Sequence, residues 1–195
     1  MSDLLKPCSH AVERAVLGTI LASGGDQLAR NLAILTDGCS LPLNQWFTDH
    51  KCQRVSIAID AAARGEIAGD AASVLELMAS ITWSDAADYL AGRKLWSRGV
   101  AEYAGSLLEA TGGANAVLDM VGEGSDDGLP LGVRKLVSLR QARDGVDVMR
   151  RYAKTLQSGD LRVPVEATIA ELVGNLASFA TGGRQDRTIG AAPDR

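Results

Sequence analysis

Between Gly132 and Thr181 the apolar residues fall into two helical stripes, and the rest of the chain is organised around them. Leu139, Ala142, Val146, Met149, Ala153 and Leu156 recur at alternating steps of three and four, which places them on one face of an α-helix. Val165, Ile169, Leu172, Leu176 and Phe179 repeat the pattern. In the connection from Ser158 to Pro164, Gly159 suits the left-handed conformation that ends a helix and Pro164 suits a first helical position. A short connection makes the two arms antiparallel neighbours, so residues 132–181 are predicted to form a helical hairpin. Two facing stripes leave one side of each arm uncovered, and that surface needs the preceding domain, a second copy, or both.

The earlier pattern is helical as well. Ser9 to Ala22 carries Val12, Val16, Leu17 and Ile20 on one face, with Ser9 as N-cap, and Gly24-Gly25 stops it. Asp26 to Leu35 follows, then a loop from Thr36 to Leu43 broken by Gly38 and Pro42. A helix from Asp49 to Ala63 ends at Gly65, and Asp70 caps another through Ala79 with Val74, Leu75 and Met78 inward. Ser84 to Leu95 and Val100 to Ala110 are two further helical segments, closed by Gly112-Gly113. Alternation with period two is absent over any useful length, so the fold class is all-α. The expected organisation is a globular helical domain at 7–121, a flexible joint at 122–131, the hairpin at 132–181 and a flexible tail or linker start at 182–195. The joint is glycine-rich and acidic, and the tail has too little apolar content to fold alone.

With 195 residues the chain is long enough to bury a core without disulfides. Cys8, Cys39 and Cys52 are scattered and form no CxxC pair, as in a reduced intracellular protein. The start lacks the basic head and apolar run of a signal peptide, and no stretch nears the ~20 apolar residues that span a membrane, so a cytoplasmic location is expected. Net charge is −4, yet the segment from Arg134 to Arg162 carries +5 and the remainder −9. Arg140, Arg143, Arg150, Arg151 and Lys154 therefore form either a solvated helix face or a basic surface for an acidic partner or a phosphate backbone.

Catalytic chemistry is not apparent. No Gly-x-Ser-x-Gly elbow exists, and the two histidines belong to no nucleophile arrangement. Cys8, His10, His50 and Cys52 are ligand types that zinc accepts, but residues two apart on a helix point in divergent directions, which argues against a shared ion. Asp85 and Asp88 lack a third ligand and read as a solvent face, and Asp126-Asp127 reads as a solubilising loop. Trp46, Trp83 and Trp96 are core anchors, with Trp96 beside Arg93, Lys94 and Arg98 also suited to a partner surface.

Four blocks in order resemble the N-terminal collar domain of DnaB-type replicative helicases. The first is Pro7-Cys8-Ser9-His10-Ala11-Val12-Glu13-Arg14-Ala15-Val16-Leu17-Gly18; the second is Phe47-Thr48-Asp49 with Val55, Ala58-Ile59, Gly65 and Asp70. The third is Gly99-Val100-Ala101-Glu102-Tyr103 with Leu107, and the last is the hairpin. Cys52 stands where the family usually has histidine, Ala11 replaces an acidic residue, and extra residues lie near Ser80 to Lys94 and Gly112 to Gly128. No Gly-Lys dipeptide occurs, so there is no P-loop to cradle nucleotide phosphates. Arg187-Thr188-Ile189-Gly190 resembles the start of the family's linker to its motor.

The resemblance implies a non-catalytic module without cofactors, which self-associates as a dimer or hexamer and docks primase, a helicase loader or the helicase motor domain. By resemblance, Val146, Met149, Ala153, Ile169, Leu172 and Leu176 carry hairpin packing or self-association. Two other functions stay open: a free-standing regulator that binds a full-length replicative helicase, and a nucleic-acid-binding protein using the basic arm. DNA contact is an open question and no membrane association is expected.

Overall fold

Short polar side chains cap three of the described helix starts, those after Asp49, Asp70 and Ser106. In a computed structural model, residues 7–82, 105–125, 128–157, 169–174 and 177 are described. Helix α1 spans His10–Ala22 after Ser9, which stands at the expected N-cap position but whose side chain makes no cap hydrogen bond; α2 spans Gly25–Gly38, and a 3-10 turn covers Leu43–Trp46. Helix α3, His50–Ala63, begins after Asp49, whose Oδ1 accepts from the Lys51 N–H at 2.8 Å. Asp70 does the same for α4, Ala71–Ser80, accepting from the Ser73 N–H at 3.0 Å. Helix α5 spans Leu107–Thr111, α6 Gly113–Glu123 and α7 Leu129–Gln157. Among the described residues there is no strand, and one isolated antiparallel bridge joins Thr82 to Ser106. The fold is all-α.

The chain divides into two compact units, Cys8–Ser138 and Met1–Pro7 with Leu139–Arg195. In the first, Leu17 and Ile20 of α1, Leu35 of α2, Ile59 of α3, Met78 of α4 and Met120 of α6 are fully buried together. Leu129, Val133 and Leu136 of α7 complete this core at helical spacing. Helix α6 packs along α1 because glycines remove the side chains between them. A Cβ on Gly18 would overlap the Met120 carbonyl, and one on Gly124 would lie 2.6 Å from the Gly18 carbonyl carbon. Beside this contact, the Thr19 Oγ1 accepts from the Ser125 N–H at 2.9 Å and donates to the Ala15 carbonyl at 2.8 Å.

Three elements differ from the sequence expectation. Helix α2 runs three residues past Leu35 to Gly38, because Gly38 serves a close approach and does not stop the helix: a Cβ there would overlap Val133 of α7. Of the segment expected from Val100 to Ala110, residues 100–104 lie outside the described residues; in the described part a helix starts at Leu107, where a capping box holds the end: the Glu109 N–H donates to Ser106 Oγ at 3.2 Å and the Ser106 N–H to Glu109 Oε2 at 3.0 Å. Helix α6 was not anticipated, since Gly112-Gly113 reads as a stop. Gly112, at φ 106°, is at once the left-handed C-cap of α5 and the residue before α6.

In the second unit, the part of α7 from Leu139 onward is helical to Gln157, and residues 169–174 and 177 are helical. The expected turn from Ser158 to Pro164 lies outside the described residues, as do Val165, Leu176 and Phe179. So do the Ser84–Leu95 segment with Asp85 and Asp88, Trp83, Trp96, Gly99–Tyr103, Asp126-Asp127 and the 182–195 tail.

Candidate functional site

Along α7 the buried positions Leu129, Val133 and Leu136 belong to the first unit, and the apolar stripe of the second unit takes a different register. Val146 and Ala153 are half-buried and Met149 is 40% exposed. In the second arm Leu172 is half-buried and Ile169 is 48% exposed. Val173 joins them at 60% exposure, a residue absent from the sequence-derived set although it stands four after Ile169 on the same helical face. Met149, Ile169 and Val173 thus leave apolar area in water at a free-energy cost, which burial against a partner would recover.

The basic residues of this unit are partly neutralised. The Arg140 Nε donates to both oxygens of Asp144 at 3.1 Å, and Arg150 lies 3.6 Å from Asp147. Such one-turn pairs are worth only ~0.3–0.5 kcal/mol each, but they lower the field available to an anion. Arg143 is buried, whereas Arg151 and Lys154 are exposed.

In the first unit, the first two blocks behind the resemblance meet in space. Glu13 is fully buried, and its carboxylate accepts from the Thr48 Oγ1 at 2.6 Å, the Thr48 N–H at 2.9 Å and the Asp49 N–H at 2.8 Å. This ties α1 to the start of α3 through the Phe47-Thr48-Asp49 turn, with Phe47 buried beneath it. Asp60 plays a parallel part, accepting from the Leu43 N–H at 3.2 Å and pairing with Arg64.

Cys39 and Cys52 are buried in the core and Cys8 is exposed. Burial pushes the Cys39 thiol up to about 12. It pushes Cys52 up further, with the Asp49 and Glu13 carboxylates acting in the same direction. Among the described residues no three His, Cys, Asp or Glu side chains are grouped to hold a metal ion. Nor, among them, is any helix long and apolar enough to cross a membrane.

No family model and no curated protein matches the chain. Among solved structures it is similar to the crystal structure of the N-terminal domain of DnaB helicase from Mycobacterium tuberculosis, with 19% identity and a TM-score of 0.58. The similarity covers 89% of this chain and 99% of that one. At this identity the likeness is one of fold: the chain has the fold of a helicase N-terminal domain.

Proposed function

We propose that a chain with this fold serves as a non-catalytic module of DNA replication, assembling with copies of itself and docking a primase or helicase loader. The observation that carries the reading is the likeness to a DnaB N-terminal domain over 99% of that domain. Two further observations support it. Met149, Ile169 and Val173 present apolar surface in the unit that contains the predicted hairpin, and a single patch that pairs with its own copy yields a symmetric dimer. Self-association then runs through Val146, Met149, Ala153, Ile169, Leu172 and Leu176, while Arg151 and Lys154 add a basic rim for an acidic partner.

The test is a double substitution, Met149→Asp with Leu172→Asp, measured by light scattering and circular dichroism. A monomer of unchanged helicity is expected, because two carboxylates facing two others across a dimer axis are desolvated without partners. A double variant that keeps the native mass removes this stripe as the interface.

A further inference from the structure

The second unit presents on α7 an apolar face that follows the helical repeat: Ala142 and Met149 are exposed, and Val146 and Ala153 between and beyond them are half-buried. Within that face Met149 carries the oxidisable group, a thioether sulfur. Gly145, Val146 and Ala153, three of its four one-turn neighbours, have no hydrogen-bond donor in their side chains. The other methionines differ in access. Met78 of α4 and Met120 of α6 are fully buried in the core of the first unit, and Met1 lies outside the described residues. An oxidant in solution therefore reaches Met149 well before Met78 or Met120.

We propose that Met149 is a site of reversible oxidation that controls self-association, with a peroxide as the oxidant. The inference rests on the self-association half of the proposed function. The Met149 sulfur attacks one peroxide oxygen, the O–O bond breaks as the S–O bond forms, and the second oxygen leaves as water; the sulfur is oxidised by two electrons and the peroxide is reduced. The sulfoxide oxygen is a strong acceptor in place of an apolar sulfur. In a symmetric pair this face meets its own copy, so the oxygen is taken out of water opposite side chains that cannot donate to it. Pairing also covers the sulfur, so oxidation proceeds from the separated chain and then holds it apart. A thiol-dependent sulfoxide reductase restores the thioether, the oxygen leaving as water while two thiols become a disulfide.

The experiment treats the full chain with hydrogen peroxide at several protein concentrations, locates the added oxygen by peptide mass mapping, and follows particle mass by light scattering. Met149 is expected to oxidise ahead of Met78 and Met120, and more slowly at concentrations where the copies pair. Its sulfoxide should weaken pairing by about tenfold or more with circular dichroism unchanged. Met149→Leu, which keeps the apolar volume, should pair like the parent and stay paired under peroxide. A chain fully converted at Met149 that keeps the parent's mass would overturn the proposal. So would a Met149→Leu variant that dissociates under peroxide, or Met78 and Met120 oxidising as fast as Met149. These outcomes leave self-association standing, whereas a parent that is monomeric before peroxide is added overturns the proposed assembly and this inference with it.

Discussion

The carboxylate of Glu13 holds Thr48 through both its hydroxyl, at 2.6 Å, and its backbone N–H, at 2.9 Å, and so joins two stretches 35 residues apart. Glu13 is fully buried, and without it the Thr48 and Asp49 N–H groups lose their acceptor inside the fold. Glu13→Ala should therefore cost roughly 2–4 kcal/mol in urea unfolding, the range for stranding buried donors of a charge-assisted network. Glu13→Gln keeps one acceptor oxygen and should cost less. An alanine variant within about 0.5 kcal/mol of the parent, the ordinary range for surface positions, would show that the network contributes little.

Gly18 and Gly122 offer a matched pair. A Cβ on Gly18 meets the Met120 carbonyl, whereas one on Gly122 meets nothing within 4 Å. Gly18→Ala should force α1 and α6 apart and destabilise the fold by about 1–3 kcal/mol or more. Gly122→Ala should be neutral or stabilise by up to ~1 kcal/mol, because alanine favours the helix that already contains it. Thermal melts of the two variants should move apart.

Hydrogen bonds from the Ser73 backbone N–H and hydroxyl hold the Asp70 carboxyl below its ordinary value, with slight burial opposing them. A group whose folded pKa is depressed contributes stability above its unfolded value, near 3.9, and loses it as pH falls through the folded value. Asp70→Ala should thus be less stable than the parent at neutral pH, by about 1 kcal/mol for a lost N-cap. The gap should narrow below about pH 4. A gap that stays constant to strongly acidic pH would refute the charge contribution.

Thiol accessibility should divide the three cysteines. Cys8 is exposed, while Cys39 and Cys52 are buried with their thiols pushed well above neutral pH. A disulfide reagent such as dithionitrobenzoate should label one equivalent rapidly in the native protein and the other two only on unfolding. Fast labelling of two or three equivalents would mean that α2 and α3 open readily.

What the sequence made legible were the long periodic helices: α1, α3 and α4 begin within a residue of Ser9, Asp49 and Asp70, although only the two aspartates cap their helices by a side-chain hydrogen bond. What it hid was the double use of glycine. Gly112-Gly113 resembles a termination, and only the three-dimensional path shows one helix ending and another starting on the same residue. Gly38 and Gly18 act through long-range contacts with Val133 and Met120, which no local pattern records. Glu13 stood in a recognisable string, but its burial and its partners 35 residues away belong to tertiary packing. For the candidate stripe, the heptad-like spacing singles out Met149 and Ile169, both exposed, and passes over Val173, more exposed than either and four residues after Ile169.

The central claim is self-assembly, and particle mass by light scattering across a dilution series tests it most directly. The account predicts a dimer or hexamer of the 20.4 kDa chain, dissociating to monomer on introduction of Met149→Asp with Leu172→Asp. A parent protein that is monomeric at every concentration would contradict it, leaving the likeness to a helicase N-terminal domain as one of fold alone.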